Sequence, residues 1–218
     1  MHEPKFLEGM LHSGSARAHA VAIFRLKFLE YDIIYVRETM TQQPVIRTER
    51  LTLRPFDLED AEDVRRLAGS KAIADTTARV PHPYEAGMAE EWIRTHARLF
   101  RRKKAVIYAV TRRDSGRLVG AIGLELHMAD ERAELGYWIG RRYWNRGYAT
   151  EAAEAVLMYG FIELGLRRIY AHHFRRNPSS GRVLRKIGMK REGILRKHFK
   201  KGERFEDLVF YGILREEF

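Results

Sequence analysis

Residues 133–165 constrain this chain more than any other stretch. An alternating segment from Ala133 to Ile139 runs into a loop around Gly147. A long run then carries Ala149, Ala153, Val156, Gly160, Phe161 and Leu164 at helical spacing. The order is strand, glycine loop, helix, and the small residues let the helix lie close on a sheet. Glycine at 147 removes the Cβ that would obstruct a ligand where the backbone turns into the helix. The first turn of such a helix has unpaired N–H groups and the positive end of the dipole, which makes an anion site. Arg141, Arg142 and Arg146 surround it with charge. The pattern predicts a pyrophosphate cradle. The loop alone also fits a tight turn with solvated arginines.

The flanking sequence supplies the sheet. "IRTERLTLRPF" alternates through Leu51, Leu53 and Phe56 and reads as one strand. Asp57 caps a helix with an acidic first turn and Gly69 near its end. Residues 84–102 continue as helix, with Met88, Trp92, Ala97 and Phe100 available for packing. "AVIYAVTRR", "RLVGAIGLELH" and "RAELGYWIG" are three strands in series, turned at Ser115-Gly116 and at Met128-Ala129-Asp130. "RRIYAHHF" is a further strand, and "SSGRVLRKIG" a short helix closed by Gly188. A hairpin around Lys201-Gly202 ends the chain. The pattern is one mixed α/β domain with a mostly antiparallel sheet.

Residues 1–39 differ from the rest. Five basic residues balance five acidic ones, no clean period appears, and "HSGSARA" has a flexible composition. Met40 followed by "TQQPVIRTERLTLRPF" reads as a protein start. Residues 1–39 are therefore expected to be an appendage or leader and residues 40–218 the domain. The alternative is an N-terminal helix packed on it.

Composition excludes some chemistry. There is no Cys, so disulfides, thiolate nucleophiles and Cys-based zinc sites are ruled out. His172 and His173 are adjacent on a strand and point to opposite faces, so no metal site is expected there. The net charge of +11 fits a solvated surface or an anionic partner such as nucleic acid, lipid or a phosphate-rich cofactor. The apolar stretch "HAVAIFRLKFLEYDIIYV" is broken by Arg25, Lys27, Glu30 and Asp32. It falls short of the ~20 apolar residues of a membrane span and lacks a secretory cleavage site. No membrane association is expected, and the location is expected to be cytoplasmic.

"AELGYWIGRRYWNRGYATEA" resembles the acetyl-CoA signature of the GNAT superfamily of N-acetyltransferases, and more narrowly its Rim type, which acetylates ribosomal-protein N-termini. "IRTERLTLRPF" resembles that branch's opening strand, "NPSSGRVLRKIGMKREG" its Asn-x-x-Ser helix, and "RFEDLVFYGILREEF" its closing strand. The likeness covers about residues 45–218, in the expected order. One departure is Trp144, where the superfamily's general pattern has Gln or Arg.

The resemblance implies a GNAT-like α/β fold, with helices flanking a sheet whose fourth and fifth strands splay apart. It implies acetyl-CoA as co-substrate, without a metal. The pantetheine arm would pair with the fourth strand at Trp138 and Ile139. The pyrophosphate would rest on the backbone N–H groups of Arg146, Gly147, Tyr148, Ala149 and Thr150, with Asn145 also in the cofactor site. Asn177 would hydrogen-bond the cofactor arm. Arg182 and Lys186 would meet the adenosine phosphates, or are ordinary exposed charges. Glu134 is the candidate base, its pKa expected to be raised by burial. Glu125 is the rival, and the structural alternative pairs Glu134 with Arg132 or another cation. Ser180 is the candidate acid for the departing thiolate, or a helix-capping hydroxyl.

The implied acceptor is a primary amine: a protein N-terminus, or a small amine such as an amino acid, antibiotic or aminosugar. The basic run Lys190, Arg191, Arg196, Lys197, Lys200, Lys201 and Arg204 suggests weak contact with ribosomal RNA or an acidic protein. Two other classes compete: a nucleic-acid-binding module stacking bases on Tyr170, Phe174 and Phe199, and a silent acyl-CoA sensor. A monomer or a homodimer is expected.

Overall fold

The computed structural model describes residues 32–34 and 42–218. The described residues form one nine-stranded sheet. Its strands are β1 (Asp32–Ile34), β2 (Val45–Arg47), β3 (Leu51–Arg54), β4 (Ala105–Arg112), β5 (Leu118–His127), β6 (Arg132–Ile139), β7 (Arg168–Phe174), β8 (Lys190–Lys201) and β9 (Arg204–Leu214). The order across the sheet is β1-β2-β3-β4-β5-β6-β7-β9-β8. Every neighbouring pair is antiparallel except β6 and β7. The helices are α1 (Ala61–Ala68), α2 (Lys71–Thr76), α3 (Met88–Arg101), α4 (Tyr148–Ile162) and α5 (Pro178–Lys186). The mixed, mostly antiparallel sheet matches the sequence expectation. The suggested appendage lies outside the described residues except for β1, which pairs with β2 at the sheet edge.

Four local expectations need correction. "IRTERLTLRPF" is a hairpin, not one strand. The Thr48 amide donates to the Leu51 carbonyl, and its hydroxyl accepts from the Leu51 amide, so the chain reverses between Arg47 and Leu51. Helix α3 begins at Met88, after the left-handed Gly87, and buries Ala89, Ile93 and His96 rather than Met88 and Ala97. Trp92 and Phe100 pack at its margin. The final turn is centred on Gly202-Glu203. Helix α2 carried no sequence signal that was recognised.

The two sheet faces take different helices. Gly160 of α4 sits over Ile169 and Leu124, where an added Cβ would lie 2.7 Å and 3.1 Å from their Cδ1 atoms. Gly181 brings α5 as close to His173, at 2.6 Å from Nε2. Side chains alternate along strands, so Tyr137 and His173 share this face while Glu134, Gly136, Trp138 and His172 share the other. Trp92 of α3 lines the cavity, as do Ile107 and Gly123. Nearly every residue of α4 from Ala152 to Phe161 is buried, Glu154 being half-buried, so this helix is core on almost all sides.

Candidate active site

Strands β6 and β7 pair only at Arg132–Arg168, Ala133–Ile169 and Glu134–Tyr170, and then diverge. Each is committed along its length to another neighbour, β6 to β5 and β7 to β9. The expected splay is present. A cavity of about 710 Å³ opens there, lined from both faces of the sheet, so it passes through the sheet. Glu134 stands at the apex, on the last paired residue.

One end of the cavity is the loop after β6. A 3-10 turn at Arg141–Tyr143 buries Tyr143 and leaves Arg141 and Arg142 exposed, with Arg142 over the Tyr143 ring. These two arginines do not line the cavity, contrary to expectation; Arg146 does. Asn145 (φ 59) and Gly147 (φ 81) are both left-handed, and Gly147 is the N-cap of α4. The first helical bond is from the Glu151 amide to the Gly147 carbonyl. The amides of Tyr148, Ala149 and Thr150 therefore have no helical partner and border the cavity. Trp144 makes an internal bond at this point. Its indole N–H donates to the Ile139 carbonyl and ties the loop to β6. One lone pair of that carbonyl is thus already used, which narrows what Ile139 offers to a pantetheine arm.

Arg50 is a residue the sequence reading missed. Its Nη1 donates to the Arg146 carbonyl (2.9 Å) and its Nε to Glu151 Oε2 (2.7 Å). Its backbone N–H and the Thr48 hydroxyl both donate to Glu151 Oε1. The β2–β3 turn thereby braces the glycine loop and neutralises the one acidic residue in the first turn of α4. The signal was present as Thr48 and Arg50, but it vanished when the segment was read as a single strand.

Arg182 and Lys186 of α5 border the cavity together with Arg146. Left-handed glycine, first-turn amides and three cations are the donors that a nucleotide diphosphate needs, so these residues fit the cofactor. Asn177 caps α5, accepting from the Ser180 amide, and its Nδ2 donates to the Thr76 carbonyl. Ser180 is therefore not the capping hydroxyl. Its Oγ lies 2.8 Å from Tyr137 Oη. Burial pushes the Tyr137 phenol up to about 12, so it stays protonated.

The other face holds Glu134, Glu125, His172 and Arg79. His172 Nδ1 lies 3.2 Å from Glu134 Oε1, while Glu125 is paired with Arg79 at 2.5 Å. Arg132 pairs with Asp130 and lies over Tyr170, so it is not the partner of Glu134. Burial does push the Glu134 carboxyl up. His172, Arg79 and the Tyr170 hydroxyl together outweigh it and hold the group below the usual range. The expected rise is overturned. Beside Glu134, Gly136 leaves open space on the strand. Every residue proposed from sequence as catalytic or cofactor-binding borders this one cavity. His172 and His173 point to opposite faces as expected, and no metal-binding cluster occurs among the described residues. Phe174 is buried and Phe199 packs against it, so with Tyr170 they do not form a base-stacking surface.

The acetyltransferase (GNAT) domain family matches residues 50–190. YoaA of Bacillus subtilis, an uncharacterised N-acetyltransferase, is 33% identical over 79% of this chain and 97% of its own length. The spermidine N(1)-acetyltransferase of Escherichia coli strain K12 is 28% identical over 67% of this chain and 76% of its own. A GNAT-family acetyltransferase structure from Bacillus anthracis superposes with a TM-score of 0.70 at 31% identity, covering 79% of this chain and 99% of that one. RimJ of Mycobacterium smegmatis, solved with CoA-disulfide, shares the fold, with a TM-score of 0.69 at 23% identity over 77% of this chain and 83% of that one. The chain belongs to the GNAT acetyltransferase family. It is an N-acetyltransferase that uses acetyl-CoA.

Proposed function

We propose that the chain acetylates a primary amine approaching from the α1–α3 face, and that a protein N-terminal α-amine suits it best. The carrying observation is the opening at Glu134. There the sheet is pierced, with a carboxylate on one face and the Tyr137–Ser180 hydroxyl pair on the other.

When bound, acetyl-CoA supplies the activated acetyl thioester. The amides of Gly147 through Thr150 and the cations Arg146, Arg182 and Lys186 would hold its phosphates. Asn145, Trp138, Ile139 and Asn177 would border its arm. Glu134 accepts the proton of the attacking amine on a carboxylate oxygen. Ser180 Oγ gives a proton to the departing sulfur, and the Tyr137 hydroxyl orients it. Glu125 serves less well as base because Arg79 already occupies it.

The lowered pKa of Glu134 bears on the acceptor. A weak base matches an amine that gives up its proton easily. An α-amine titrates near 7.7–8.0, against about 10.4 for a lysine-type amine. A second reading, a polycationic amine, is favoured by the two carboxylates on the acceptor face and by the spermidine-acetylating relative. A panel of N-terminal peptides, amino acids and polyamines, read by free-thiol release at pH 7, separates them. Peptides should exceed polyamines in kcat/KM by roughly tenfold, equivalent to about 1.4 kcal/mol. A polyamine preference reverses the assignment, and cofactor binding without any turnover leaves an acyl-CoA sensor.

A further inference from the structure

The segment following α2 forms the outer wall of the acceptor end. Thr76, Thr77, Ala78, Arg79 and Val80 border the cavity, and Arg79 reaches Glu125 across it. This wall has little framework of its own. Between Ala78 and Tyr84, no backbone–backbone hydrogen bond reaches another element among the described residues. A stretch without ladder bonds is held by side chains or not at all.

Lys201 supplies the hold. It is the last residue of β8, next to the left-handed Gly202 of the terminal turn. Alternation sends Lys200 outward, where its Nζ lies over Phe205, and Lys201 inward. The Lys201 Nζ donates to the carbonyls of Thr77 (2.6 Å), Ala78 (3.3 Å) and Val80 (2.8 Å). An ammonium has three protons and no acceptor, so these carbonyls satisfy it completely. It forms no ion pair among the described residues. Of the basic residues in the terminal hairpin, it is the one that reaches the active-site wall.

We propose that Lys201 is a positioning residue for the acceptor. By clamping the carbonyls of residues 77, 78 and 80, it presents Arg79 to Glu125 and sets the shape of the opening beside Glu134. The charged hairpin thus acts on the reaction through one half-buried ammonium, separately from its exposed cations. This role rests on the reading that the amine enters at Glu134.

The test compares wild-type protein with Lys201→Met, which keeps the aliphatic stem, and with Lys201→Arg, which keeps donors and charge. The first readout is amide hydrogen exchange in residues 76–82. The second is the acceptor KM for the best amine of the panel, with kcat and acetyl-CoA affinity measured alongside. In Lys201→Met, exchange in this segment should accelerate and the acceptor KM rise about tenfold, the scale of losing one charge-assisted bond. Acetyl-CoA affinity should stay within about twofold, the scale of a site whose own contacts are untouched. Lys201→Arg should recover most of the KM. Unchanged exchange, or faster exchange with an unchanged acceptor KM, overturns the positioning role. A uniform fall in melting temperature and in acetyl-CoA affinity, without a selective KM effect, also overturns it. Glu134→Gln serves as the control. If that variant turns over normally, the acceptor reading itself fails, whatever Lys201 does.

Discussion

Glu134 shows how single residues depend on their surroundings. Burial alone would make it a stronger base, yet His172, Arg79 and Tyr170 keep it ionised. At neutral pH it is already ionised, so in the proposed mechanism the rise of rate with pH is expected to belong to the amine. Glu134→Gln is expected to lower kcat by about 100-fold, the usual contribution of a general base, with acetyl-CoA affinity unchanged in calorimetry. His96 is the second instructive residue. It is buried among Phe56 and Trp92, and burial drives it from 6.5 down to about 4. Between these values the unfolded chain binds a proton that the folded chain refuses. Stability from this group is therefore full above pH 6.5 and is lost as pH falls toward 4. At pH 4.5 the loss should be about 2–3 kcal/mol. Urea unfolding at pH 7 and 4.5 checks this, with His96→Phe losing correspondingly less. Both histidine and glutamate were visible in the sequence. The neighbours of Glu134 were not, because His172 and Tyr170 of β7 and Arg79 after α2 lie far from it along the chain.

At the scale of elements, the glycine loop works because a separate hairpin supports it. Gly147 is left-handed, and a Cβ there would lie 3.1 Å from Arg50 Nη2. Gly147→Asp adds about 1–2 kcal/mol of backbone strain and a negative charge among the phosphate donors. It should weaken acetyl-CoA binding by tenfold or more, roughly the same energy expressed as affinity. Arg50→Ala tests the brace. It leaves Glu151 uncompensated beside the diphosphate position, so acetyl-CoA affinity should fall, most at low salt. Calorimetry at two ionic strengths reads both variants; undiminished binding in Arg50→Ala would reduce the brace to a surface contact. Most elements here were legible: the three-strand meander, α4, and the terminal hairpin. The β2–β3 turn was not, because alternation continues through Thr48 and Arg50 while their polar groups reverse the chain. The face of α3 was misjudged because Ala89, Ile93 and His96 are buried more deeply than the larger residues beside them.

For the whole molecule, the sheet is the organising device. Every antiparallel pair brings sequence neighbours together, except the pairing of β7 with β9, which admits β8 to the edge. The single parallel pair, β6–β7, forms for three residues and then opens. The proposed phosphate donors of the α4 loop and α5 and the carboxylates Glu125 and Glu134 thus lie on opposite faces of one sheet, on either side of a gap. Apart from the candidate acid and base, which the family resemblance implied, the sequence by itself determined the order of the strands and helices other than α2 and the β2–β3 hairpin, together with the glycine loop that opens α4. Those features are local, set by side-chain period and by residues adjacent in the chain. Only the tertiary structure decided that Arg50 steadies the loop, that Glu134 is held ionised, and that Lys201 clamps residues 77–80. Each of those depends on groups many residues apart brought within hydrogen-bond reach, and no periodicity along the chain encodes such a distance.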